Sequence, residues 1–92
     1  MLLEFDPDKN ARNLRERGIA FDRFAEMDLE SAISVEDMRT DYGERRLRVL
    51  GEIDGELHAA VITPRGDRIR VISLRRANRR EERAYAKERQ SS

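Results

Sequence analysis

Seven arginines stand between Arg65 and Arg80, at 65, 68, 70, 75, 76, 79 and 80, with one acid, Asp67, among them. A guanidinium stays charged and offers a planar fork of donors that matches a phosphate. A run of them neutralises phosphodiesters and draws nucleic acid in through counterion release. On a strand, alternation sets Arg68 and Arg70 on one face. Arg75 and Arg76 fall where that strand meets a following helix, whose first amides add partial positive charge. The same residues could form a basic edge that discourages sheet-to-sheet association. Phosphate binding and a solvated edge therefore both stay open at this point.

Other chemistries are poorly supplied. With no cysteine there is neither a disulfide nor a thiolate metal site. His58 is the only histidine, no carboxylate stands near it at ligand-like spacing, and no metal or cofactor is expected. Alternating away from Leu57 and Ala59, it is predicted at the surface or on a sheet face. No Ser/His/Asp order, glycine-rich phosphate loop or pair of zinc ligands is visible. An enzyme built from this chain would move protons with Glu, Tyr, Lys or water. Arginine is too weak an acid to act as a base, but it stabilises the charge on a pentavalent phosphorus.

The elements that must position these residues fit one domain over residues 1–92. Hydrophobic residues make up 38% and charged residues 41%, which implies a small core, a densely ionic surface and a thin stability margin that a partner could widen. The net charge of +0 conceals an acidic first half and a basic second half, and only Lys9 and Lys87 among the 19 bases are lysines. No apolar run approaches the ~20 residues of a membrane span, and the chain is expected in the cytoplasm.

Leu2 to Phe5 reads as a short strand. Asp6-Pro7 starts a helix that runs to about Arg17 and stops at Gly18, with Ala11 and Leu14 as its thin apolar face and Ile19 closing the end. Phe21, Phe24 and Ala25 suggest a second short helix. Ala32 to Val35 is a candidate strand and Asp37 to Glu44 a loop. Arg45 to Ile53, Leu57 to Thr63 and Arg68 to Leu74 form a three-stranded antiparallel meander. Its turns are Asp54-Gly55 and Pro64-Arg65-Gly66-Asp67, and Leu57, Ala59 and Val61 share a face. Asn78 and Glu81 make a capping box for a helix from about Arg79 to Arg89, whose apolar side is Tyr85 with Ala77 and Ala84. The tail Gln90-Ser91-Ser92 is expected to fray. The fold class is α+β: N-terminal helices on one face of an antiparallel sheet, with a C-terminal helix at its end.

The blocks Leu3-Glu4-Phe5-Asp6-Pro7-Asp8-Lys9-Asn10, Asn13-Leu14 and Gly18-Ile19-Ala20-Phe21 resemble the opening of BrnT toxins. Glu44-Arg45, Thr63-Pro64-Arg65, the stretch Arg68 to Ala77, Glu82-Arg83 and Tyr85 resemble the family's second half. The likeness runs over nearly the whole chain, and its weight lies in the blocks together.

The resemblance implies a RelE-like ribonuclease that inhibits translation and needs no metal. It also implies neutralisation by a BrnA-type antitoxin with a ribbon-helix-helix DNA-binding part, in an assembly of two toxins and two antitoxins that represses its own operator. Carried over by position, Arg65, Arg70 and Arg75 bind or polarise the phosphate, with Glu44 as general base. Lys9, Arg45, Arg68, Arg76 and Arg79 are further phosphate-binding positions. Three departures stand out: Arg17-Gly18 where the family has His-Gly, Pro64 where it has Glu, and Leu74 where it has Ala. They bear on activity more than on fold. A non-catalytic nucleic-acid module, or an interaction domain whose basic half docks an acidic partner, would use the same arginines.

Overall fold

A computed structural model describes residues 1–90; Ser91 and Ser92 of the expected tail lie outside them. The chain runs β1 (Leu2–Glu4), α1 (Pro7–Arg17), a 3₁₀ helix (Phe21–Glu26), β2 (Ile33–Glu36), β3 (Leu47–Ile53), β4 (Glu56–Arg65), β5 (Arg68–Arg76) and α2 (Arg79–Gln90). The fold is α+β around one five-stranded sheet of order β1-β5-β4-β3-β2.

The local chemistry explains most boundaries. Asp6 caps α1 by accepting from the Asp8 and Lys9 amides, Pro7 sits in its first turn, and Gly18 ends it in the left-handed region at φ 72°. Asp54 and Gly55 both take positive φ, 52° and 75°, as the tight turn between β3 and β4 demands. Asn78 and Glu81 exchange side-chain-to-amide bonds of 2.8 and 2.9 Å, closing the capping box of α2.

Several expectations need correction. The sheet is mixed, because β1 joins the edge of β5 in parallel while the other pairings are antiparallel. The second turn is narrower than expected: Pro64 and Arg65 belong to β4, paired with Ile69 and Arg68. Pro64 lies past the point where β3 begins to pair with β4, so no ladder bond to β3 is lost through its missing N–H. Ala11 and Leu14 of α1 are exposed, and the buried residue of the helix is Asn13. Its amide donates to Ile19 O at 2.8 Å and Leu74 O at 2.9 Å, while Asn10 Oδ1 accepts from the Phe21 amide at 2.7 Å. The helix thus docks through amides rather than an apolar stripe. On β4 it is His58, Ala60 and Ile62 that face the core, opposite Gly51, Val49 and Leu47. His58 is accordingly buried on a sheet face, the second of its two expected places, and not at the surface.

The core lies between this face and the 3₁₀ helix, with Phe21, Phe24, Met27, Ile53, Val71 and Leu74 at its centre. Phe5 packs edge-on against Phe21, ring centroids 5.9 Å apart. Gly51 lets the chain after the 3₁₀ helix come close: a Cβ there would stand 2.5 Å from Met27 Sδ.

Candidate nucleic-acid interface

The opposite face of the sheet carries the arginines. Register alone defines it: Leu57, Ala59, Val61 and Thr63 of β4 stand beside Arg48 and Leu50 of β3 and beside Arg70, Ser73 and Arg75 of β5. β5 is irregular here, since Ile62 pairs with Val71 but Val61 with Ser73, which leaves Ile72 as the extra residue of a bulge. The bulge shifts the phase of the strand, so Arg75 joins Arg68 and Arg70 on one side.

α2 leans across this face and closes one wall of a groove of about 240 Å³. Leu50, Ala59 and Val61 floor it, and Arg48, Arg75 and Arg80 rim it. Tyr85 Oη donates to Ser31 O at 3.2 Å and ties the helix to the segment before β2. Arg75 donates from both terminal nitrogens to the two oxygens of Glu81, each at 2.8 Å. That fork holds the Glu81 carboxyl below the usual glutamate range and raises the guanidinium's own pKa. Arg48 and Arg80 make no hydrogen bond or close ion pair among the described residues, though the Arg48 charge is near enough to Glu81 to help hold its carboxyl down.

At the other end of the face, Arg70 stands 3.7 Å from Glu4, its partner in register on β1. One position beyond the β3–β4 register, Arg46 comes beside Thr63, and Arg46 Nε and Thr63 Oγ1 are buried without a hydrogen bond. The Arg46 guanidinium lies over the Tyr42 ring at 4.0 Å. Tyr42 Oη in turn donates to Asp37, whose carboxylate also receives a fork from Arg39 at 2.9 Å. The Arg39 bonds, side chain and amide, hold Asp37 well below the carboxylate range.

The structure thus gathers Arg70 and Arg75 on one face with Arg68, which is exposed at the start of β5. It joins Glu44 to Arg65 through bonds of 3.2 and 3.3 Å at the far end of β4. The other positions are dispersed. Arg45 pairs with Glu36 at 3.3 Å. Arg76 points the other way, pairs with Glu56 and lines a cleft with His58. Arg79 is exposed at the start of α2, and Lys9 lies in a separate cleft between α1 and β5. Arg48, Arg80 and Glu81 form the groove but were not singled out as site residues from sequence. Arg48 had a readable signal: it alternates away from Leu47 and Val49 on a strand whose other face is core. Among the described residues no three His, Cys, Asp or Glu side chains gather as metal ligands would, and no helix is long and apolar enough to cross a membrane.

No curated protein matches this chain. A family model does match, over residues 5–81, and it describes the ribonuclease toxin, BrnT, of a type II toxin-antitoxin system. The match begins just after β1 and takes in α1 through β5, the arginine face and the first turn of α2 as far as Glu81.

Proposed function

The chain belongs to the BrnT family of type II ribonuclease toxins, and from that premise we propose that the arginine-rimmed groove is where it cuts RNA. The observation that carries this is the groove's make-up: Arg48, Arg75 and Arg80 around an apolar floor, two of them in no close ion pair. A phosphodiester seated there replaces Glu81 on Arg75. The adjacent ribose 2′-hydroxyl attacks phosphorus, the bond to the 5′-oxygen breaks with a proton from water going to that oxygen, and a 2′,3′-cyclic phosphate and a 5′-hydroxyl result. Arginine forks stabilise the charge that builds on the phosphoryl oxygens, and the reaction needs no metal.

Glu81, displaced from Arg75 but still on the groove wall, is the carboxylate best placed to take the 2′ proton. Glu44, the base suggested by resemblance, is held by Arg65 away from the groove wall. The domain is of the RelE-like kind and inhibits translation in the cytoplasm.

Type II membership implies an antitoxin. We take it to be BrnA-like, with a ribbon-helix-helix part that binds operator DNA, in a complex of two toxins and two antitoxins. An acidic amphipathic segment laid in the groove would cover its apolar floor and match its cations, and so block RNA.

The test is cleavage of a labelled RNA by the antitoxin-free chain in excess EDTA, with Arg75→Ala alongside. Cutting that survives the chelator and is lost in the variant is the expected result. Intact RNA from folded wild-type protein, on and off ribosomes, would instead leave a non-catalytic binding module.

A further inference from the structure

The groove is not the only cationic cleft along β5. β1 pairs with β5 only at Arg68–Arg70, so from Val71 onward that edge carries no neighbouring strand, and α1 lies against it through Asn13. Between the helix and this edge is a second cleft of about 280 Å³, lined by Lys9, Arg12, Glu16 and Arg17 with Ile72 and Ser73. Ser73 belongs to the wall of the groove as well. The two clefts therefore meet across the bulged part of β5, one on each side of the edge.

Unpaired cations lie along this line, although Arg15, Arg68, Arg79 and Arg83 are also without a side-chain ion pair or hydrogen bond among the described residues and line neither cleft. Arg48 and Arg80 in the groove, and Lys9, Arg12 and Arg17 on α1, form no close ion pair or hydrogen bond among the described residues through their side chains. Beyond Arg17 the pattern stops. That residue also borders a third cleft, but there Arg23 is matched by Asp54 and Glu26, and Arg76 by Glu56. A row of separated cations, broken by Glu81 in the groove and Glu16 on α1 but in surplus over both, matches the repeating phosphates of one strand. Of the large apolar side chains in the second cleft, Phe21 is 2% exposed and Ile72 only partly exposed, which leaves little for a protein segment to anchor on.

We propose that single-stranded RNA runs from the groove over the edge of β5 at Ser73 and onto α1, with Lys9, Arg12 and Arg17 holding phosphates outside the cleavage site. This rests on the groove being the RNA site, and it adds a length requirement: short RNAs reach only the groove, and longer ones gain affinity from α1.

Binding of a labelled trinucleotide and of a strand of about 12 nucleotides, measured by fluorescence anisotropy across a salt series, tests it. The full chain is compared with Arg12→Glu/Arg17→Glu and Arg12→Lys/Arg17→Lys, each checked for folding by circular dichroism. The reversal should weaken the long strand about tenfold and lower its salt slope by about 0.7 for each phosphate that α1 no longer holds. Trinucleotide affinity should stay within about twofold, and the lysine variant should restore the long strand. Unchanged long-strand affinity and slope would overturn the track. An equal loss for both RNAs would overturn it too. Wild-type protein that shows the length dependence yet cuts neither RNA would leave the track standing and remove the ribonuclease reading.

Discussion

Arg70 and Arg75 face the same side of β5 although they are five residues apart, a spacing that regular alternation would send to opposite faces. Their partners on β4, Thr63 and Ala59, are four apart, and the difference is Ile72, the extra residue of the bulge. Without it Arg75 would point into the core and Leu74 toward the groove. The bulge thus gives one strand both a sealed core side and a cationic outer side.

Arg75→Ala should therefore remove most of the chemistry and little of the stability. Loss of one preorganised donor to a developing oxyanion lowers turnover about 10²- to 10³-fold. Its ion pair with Glu81 is partly exposed, 38% and 23% for the two side chains, and such pairs are worth at most about 1 kcal/mol. Single-turnover cleavage and thermal unfolding of the same variant check both halves. A variant that unfolds far below the wild type would show Arg75 to be structural.

The docking of α1 makes a separate prediction. Asn13 is 8% exposed and satisfies two carbonyls, Ile19 O and Leu74 O. Asn13→Leu leaves both acceptors buried and unpaired, which should cost about 1–3 kcal/mol in a urea titration. The loss should be larger than for Leu14→Ala, whose side chain is 52% exposed. The opposite ranking would mean that the helix is held by apolar contact after all.

These examples show what the sequence discloses. Elements with local causes were legible: the Asp6 and Gly18 caps, the Asp54-Gly55 turn, the Asn78–Glu81 box and the meander they bound. The inward face of β4 was not, because both of its faces read as apolar. His58, Ala60 and Ile62 face the core, while Leu57, Ala59 and Val61 lie on the groove side. Nothing local marks Ile72 as a bulge or β1 as parallel, since both depend on partners far away in the chain. For the site, Arg70 and Arg75 were readable as types in a run. Their meeting with Arg48 and Glu81 needed strand register and the lie of α2.

Two carboxylates tie acid stability to this face. Asp37, bonded by Arg39, and Glu81, bonded by Arg75, both titrate below their unfolded values. A depressed folded pKa contributes stability that is fully present above the unfolded value and is lost as pH falls through the folded one. The melting temperature should thus hold from neutrality to about the ordinary carboxylate range and fall below it. Asp37→Asn should flatten that acid limb. An unchanged limb would place the acid sensitivity elsewhere.

Glu81→Gln separates binding from chemistry. Glutamine keeps the capping box, because its side-chain oxygen can still accept from the Asn78 amide, so α2 should stay in place. It removes the charge that competes with phosphate for both terminal nitrogens of Arg75, so RNA affinity should rise several-fold, most visibly at low salt. If Glu81 also accepts the 2′ proton, cleavage of the bound RNA should fall by about 10²- to 10⁴-fold despite the tighter complex. Anisotropy and single-turnover cleavage on one RNA measure the two effects. Tighter binding with undiminished cleavage would assign Glu81 to guarding Arg75 alone and return the base to Glu44. Unchanged affinity would mean that phosphate does not enter at Arg75.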